Sequence, residues 1–205
     1  MKETSKAMRR RYAEADEGGF PWHATFKGEM LDVGAGDDPL PGAWPFTLPD
    51  GGGDDLRDFF IARRFDLIHG SQVLEHAKNP GLMLKSWIAC LKEHGYIVAT
   101  VPDFKLYEKE TWPSKFNAGH RSIWTLDSDL HARAINAYGR SKCLCILLPE
   151  WFNQFLNTQR PVEILLCRLV TTNYDPSVGP EVDQTYDPDK GVECFIEFVL
   201  RRRDK

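Results

Sequence analysis

Cysteine is sparse and poorly spaced for structural work. The five, at positions 90, 143, 145, 167 and 194, are odd in number and form no CxxC pair, so neither a zinc ribbon nor a closed disulfide framework is indicated and a reducing cytoplasm is the expected location. The sequence also lacks any run of about 18 uncharged apolar residues, and its opening MKETSKAMRRRYAEADEGG has no secretory apolar core. Export and membrane insertion are therefore not expected. Excess charge is small: 30 acidic against 26 basic residues give a net charge of -4, with no electrostatic case for a nucleic acid or an anionic membrane as partner. The runs Arg9–Arg11 and Arg201–Arg203 read as solvated chain ends. Internal repeats and low-complexity segments are missing as well.

What is present suits one globular domain spanning residues 1–205, with 42% hydrophobic, 27% charged and 12% aromatic residues. A polar helix over 3–16, stopped by Gly18-Gly19, leads in across residues 1–28. Residues 30–34 read as a buried strand running into a glycine turn. Pro39, Pro41, Pro45 and Pro49 then exclude a long helix between Gly36 and Gly53, leaving room for a short strand near Trp44–Leu48. A helix over 55–64 and a strand over 65–69 follow. Asn79-Pro80 cap a helix whose Leu84, Trp87, Ile88 and Leu91 share one face and which Gly95 closes. The β-branched run 96–101 is a strand stopped by Pro102. Helices over 126–138 and 149–158 precede two strands, one from Val162 and one over 192–200. In the second, apolar residues alternate with Glu193 and Glu197, as in an antiparallel strand with one wet face.

This order is that of a doubly wound α/β sheet, in which ligands bind beyond the carboxyl ends of the strands. Gly34–Asp38, Asp50–Leu56, Gly70–His76 and Pro102–Asp103 fall at those ends. In LDVGAGDD at 31–38, two glycines two residues apart let the backbone turn sharply and admit a ligand closely; an ordinary glycine turn reads the same way.

Together with GDDL at 53–56, FDLIHGSQVLEH at 65–76, HGYIVATVPD at 94–103 and the late hairpin, this pattern resembles class I S-adenosylmethionine-dependent methyltransferases of the small-molecule type. The resemblance covers residues 30–110 well and the rest loosely. It implies a Rossmann-like methyltransferase sheet, mostly parallel with a C-terminal antiparallel hairpin, S-adenosyl-L-methionine as cofactor, and a small-molecule methyl acceptor. It assigns Asp32, Gly34, Ala35 and Gly36 to the methionine end of the cofactor. Asp50 is matched to the ribose hydroxyls, a Pro-Asp-Gly turn residue being the equal alternative. Asp54, followed by Asp55 and Leu56, is matched to adenine, with a helix N-cap as its other reading. Ser71 and Gln72 would line the floor between methyl group and acceptor. His120, in the acceptor-side insertion at 104–125, is the candidate base, Asp103 the competing carboxylate, and His76 an orderer of its loop. Trp112, Phe116 and Trp124 would suit stacking on an acceptor ring.

The sequence departs from the family in its front half. A third glycine is replaced by Asp38, and only eighteen residues separate Gly36 from Asp54, so a helix and an edge strand are expected to be missing. Arg9, Arg10 and Arg11 could compensate by meeting the cofactor carboxylate. Two other functions share these features. A nicotinamide dehydrogenase would need glycine where Pro39 stands, though Tyr138 and Lys142 have a suitable spacing. A degenerate scaffold would keep the fold without catalysis.

Overall fold

The computed structural model describes residues 3–47, 55–139, 142–157 and 162–203. β1 (Met30–Val33) is buried throughout and lies between β2 (Trp44–Phe46) and β3 (Phe65–Ser71), parallel to both. β4 (Leu91–Pro102) continues the parallel set. β8 (Phe195–Arg202) pairs with it antiparallel, and β7 (Val162–Val170) closes the far edge antiparallel to β8, giving the order β2-β1-β3-β4-β8-β7. This is the expected doubly wound sheet with its late hairpin. Its front half is short as anticipated: no helix joins β1 to β2, and β2 is the outermost strand among the described residues.

One face is covered by α3 (Pro80–Cys90). Asn79 accepts the Leu82 N–H and Pro80 opens the first turn, so Leu84, Trp87 and Ile88 pack on Ile68, Ile97 and Ala99 of the sheet. Gly70 is where the helix comes nearest the sheet; a Cβ there would lie 2.3 Å from the Trp87 ring. The helix ends at Cys90, before Gly95. The chain is already extended at Leu91, which pairs with Phe65, and Gly95 instead serves close approach, with a Cβ there 3.0 Å from the Phe65 carbonyl oxygen. The helix expected over 55–64 is a single turn, Leu56–Asp58. Phe59 packs tilted and Phe60 edge-on against Phe46, and Phe60 also meets Phe65 edge-on, contacts that a continued helix would not give both rings.

The segment between β4 and β7 holds a unit that periodicity does not reveal. β5 (Ser122–Thr125) and β6 (Leu144–Leu147) form a parallel pair joined by α4 (Ser128–Tyr138), which Asp127 caps. α5 (Leu148–Asn157) then sets Phe152 against Phe198 of the sheet.

The other face is covered by α1 (Glu3–Asp16) and by α2 (Trp22–Thr25), with Met8, Trp22 and Leu40 on Leu67, Val98 and Val199. Here the wet face expected for β8 proves dry. Glu197 is fully buried and accepts from Arg10, Arg11 and Arg168 at 2.7–3.2 Å, while Glu193 accepts from Arg10 at 2.8 Å. Arg10 and Arg11 are thus neither solvated nor free to meet a ligand carboxylate; Arg9 alone of the run is exposed. Arg11 lies over the Trp22 and Phe26 rings and reaches His69 Nε2 at 3.4 Å, and His69 Nδ1 in turn meets Asp32 at 2.6 Å. A row of polar and ionisable side chains therefore runs across the sheet from β1 to β7 beneath α1. Among the described residues no helix is long and apolar enough to cross a membrane.

Burial alone would raise the Glu197 pKa, but Arg11, Arg10 and Arg168 outweigh it and hold it down to about 2. Because the folded value lies below the unfolded one of about 4.3, the resulting stability is complete above pH about 4.3 and is lost as pH falls toward 2. Denaturant midpoints measured across that interval should fall steeply in the native protein. Glu197→Gln, which leaves Arg11 buried without its counter-charge, should cost about 3–5 kcal/mol at neutral pH and flatten that profile. Gly70→Ala should cost about 1–3 kcal/mol by overpacking against Trp87, read in the same unfolding experiment.

Candidate active site

Of the four segments that the sequence pointed to, Gly34–Asp38, Gly70–His76 and Pro102–Asp103 lie at one rim of the sheet, at the carboxyl ends of the parallel strands β1, β3 and β4. Gly34 and Gly36, both exposed, have φ of 71° and 51°, the left-handed conformation glycine adopts without penalty. Gly34 is required for a second reason: a Cβ would lie 2.5 Å from Val73. Ala35 is buried beneath them. Asp32 holds the loop from below. Its Oδ1 meets His69, its Oδ2 accepts the Leu40 N–H at 2.7 Å, and the side chain is buried, so both oxygens are engaged within the protein. Asp38 fastens the far side of the loop to α1, accepting from the Ser5 N–H at 2.8 Å and from the Ser5 hydroxyl.

At the end of β3, half-buried Ser71 and Gln72 converge on Thr100 of β4, with Oγ to Oγ1 at 3.0 Å and Nε2 to Oγ1 at 3.3 Å. Gln72 itself sits at φ 57°, a conformation uncommon outside glycine that turns the chain off the strand. Asp55 is the N-cap of its short turn, accepting the Arg57 N–H and pairing with the Arg57 side chain, while the Leu56 N–H is spent on Ser86 Oγ at 3.0 Å. Asp50 and Asp54 lie outside the described residues.

Between the turn after β3 and the segment leading into β5 a cluster forms that the sequence showed only in pieces. His120 is buried, and its Nδ1 meets Glu108 Oε1 at 2.5 Å while Nε2 stands 3.9 Å from Glu75 Oε1. His76, half-buried, packs edge-on against the His120 ring at 4.9 Å between centroids. The cluster is tied together by the Arg121 N–H, which donates to the Glu75 carbonyl at 2.7 Å. Glu75 is fully buried, neither of its carboxylate oxygens has a hydrogen-bond partner, and burial pushes its pKa well above the usual range. Burial lowers the His76 pKa, with the neighbouring His120 acting in the same direction. Tyr107, whose hydroxyl is pushed up by burial, lies beside His120 at 5.7 Å between rings.

Asp103 is also buried, which raises its pKa to about 6 although its Oδ1 accepts the Lys105 and Leu106 N–H groups. Of the aromatic candidates, Trp124 is core: it is buried, with Nε1 donating to Ser122 and its ring against Trp151. Trp112 and Phe116 remain half-buried. Tyr138 donates its hydroxyl to the Glu110 carbonyl within the insertion, so it is not a rim residue of the dehydrogenase kind. Glu108 escaped sequence reasoning, because nothing in its spacing from His120 marks a loop carboxylate as a partner.

Residues 8–133, more than half of the chain, match the family described as a methyltransferase domain. No curated protein matches. Among solved structures, a chain from the Haloferax volcanii complex of the Trm112 methyltransferase activator with a methyltransferase is 10% identical, with a TM-score of 0.50 and 96% of each chain covered. The plantazolicin methyltransferase BpumL, in complex with SAH, is 12% identical with a TM-score of 0.48, over 90% of this chain and 80% of that one. A Bacillus halodurans protein described as a methyltransferase is 13% identical with a TM-score of 0.44, over 90% and 97%. At such identities the likeness is one of fold. The sequence match, on a sheet of this order with its glycine turn at the end of β1, establishes that the chain belongs to the methyltransferase-domain family.

Proposed function

We propose that this protein is an S-adenosyl-L-methionine-dependent methyltransferase that methylates an oxygen or nitrogen of a small molecule. The observation that carries the reading is a continuity along one short turn. Val73 lies against Gly34 of the glycine loop, and two residues later Glu75 and His76 join His120, so a cofactor site and an acceptor site share a wall.

The described part of the rim fits the methionine end of the cofactor. Gly34 and Gly36 present exposed backbone at a strand end; the Gly34 N–H is spent on the Phe46 carbonyl at 2.7 Å, so the rest of the loop backbone would have to serve an ammonium and a carboxylate, and Ser71 and Gln72 add polar side chains at the end of the neighbouring β3. Asp32 and Asp38 act indirectly here, by fixing the loop. When bound, the cofactor supplies an electrophilic methyl group on a sulfonium. The chain's own task is to align the acceptor in line with that methyl, exclude water and take the proton the acceptor gives up. His120 suits the last role: Glu108 orients the ring through Nδ1, leaving Nε2 to receive a proton. Asp103, raised to about 6, is the second group able to exchange a proton near neutrality.

Calorimetry should detect binding of S-adenosylmethionine and S-adenosylhomocysteine but not of NADH. Binding of neither sulfur nucleoside would favour the scaffold reading, and binding of NADH alone the dehydrogenase. With an acceptor in hand, His120→Ala should lower kcat by about 100-fold or more while cofactor affinity stays near its native value. An unaltered rate would remove His120 from the mechanism.

A further inference from the structure

We propose that Glu75, His76 and His120 bind one divalent transition-metal ion through two imidazole nitrogens and a carboxylate. One ligand atom from each residue lies within 4.8 Å of the others. Ligands at about 2.0–2.2 Å from a tetrahedral ion stand roughly 3.3–3.6 Å apart, so closure asks the most distant pair to approach by up to about 1.5 Å, shared between two side chains.

The chemistry of each ligand agrees. Glu75 has no side-chain exposure and no hydrogen-bond partner for either oxygen, with His120 Nε2 standing 3.9 Å from Oε1, in an interior where buried polar atoms are almost always satisfied. A cation between it and the two rings supplies the missing interaction. The Nδ1 of His120 is engaged by Glu108, which leaves the Nε2 lone pair on the side of Glu75; a carboxylate behind a ligating histidine is the usual outer support of a metal site. The Nδ1 edge of His76 abuts Gly119, where a Cβ would lie 2.9 Å away, so its Nε2 is the ligand left. Exposure of Gly119 beside half-buried His76 gives an ion a way in.

Two nitrogens and one oxygen suit zinc, iron(II), cobalt(II) or manganese(II) better than calcium or magnesium, which favour all-oxygen sites. Three protein ligands also leave coordination positions open. The consequence for catalysis rests on the methyl-transfer reading: an acceptor hydroxyl bound to the ion would lose its proton to solvent more readily, and its oxygen would then attack the methyl carbon as the carbon–sulfur bond breaks. In that state Nε2 of His120 holds the ion in place of a proton.

The test uses untagged, chelator-treated full-length protein titrated with cobalt(II), followed by its visible absorption, and with zinc by calorimetry, both without cofactor. The expected result is one ion per chain. Glu108→Gln, which removes only the outer support, should weaken binding about 10–100-fold, and His76→Ala and His120→Ala should weaken it further. Circular dichroism identifies any variant that has failed to fold, and the half-buried His76 gives the variant least exposed to that failure. Absence of cobalt binding by the native protein, or native affinity in folded His76→Ala, overturns the proposal. Metal uptake without methyl transfer would sustain the site while sinking the enzymatic reading; methyl transfer by a protein that takes up no metal would do the reverse.

Discussion

A single carboxylate in the middle of β8 ties the amino-terminal helix to the sheet. α1 is polar, and the apolar side chains it buries are few, chiefly Ala7 and Met8, so apolar area alone offers little to hold it. Glu197 receives both Arg10 and Arg11 of that helix together with Arg168 of β7. Removing one member leaves the others as buried charge, which is why such clusters act as all-or-none fasteners even where a hydrophobic replacement of the whole set would be tolerated. Once α1 is seated, Ser5 at its start secures Asp38, and Arg11 at its centre steadies His69 and through it Asp32. The geometry of the glycine loop thus follows from a contact three strands away.

The candidate rim shows a division between spent and unspent groups. Asp32 and Asp38 beside the glycine loop are satisfied internally, and Gly34 and Gly36 leave backbone exposed there. In the cluster around His120 the situation reverses: neither Glu75 oxygen has a hydrogen-bond partner, and His120 is braced through one nitrogen. Val73 to His76 is a short stretch, yet it touches both regions, so a change in its path would reach the glycine loop and the His120 cluster together.

Much of the architecture was legible because burial and periodicity coincide. The runs at 30–34 and 65–69 form β1, which stops at Val33, and β3, which continues to Ser71, and Asn79-Pro80 fixes where α3 begins. The misreadings have common causes. Alternation over 192–200 marked Glu193 and Glu197 as the wet face; β8 begins only at Phe195, and a pattern along the chain cannot distinguish water from an arginine nearly two hundred residues earlier. β5 and β6, four residues each, are too short to show a period, and aromatic packing overrode helix propensity after Leu56. At the site, the glycines and His120 were visible as residue types, whereas Glu108 acquires meaning only when the chain brings it to His120.

The outermost described strand, β2, also has a bearing on how the protein behaves in a crowded solution. A sheet that ends early leaves a row of unpaired amides able to recruit another chain. β2 is only three residues long, its central residue is Pro45, which has no amide hydrogen to offer, and Trp44 carries the Arg63 guanidinium over its ring at 3.7 Å. That border is therefore short, deficient in donors and charged, a poor template for intermolecular β-pairing, so the abbreviated front half need not make the protein prone to aggregate along that side.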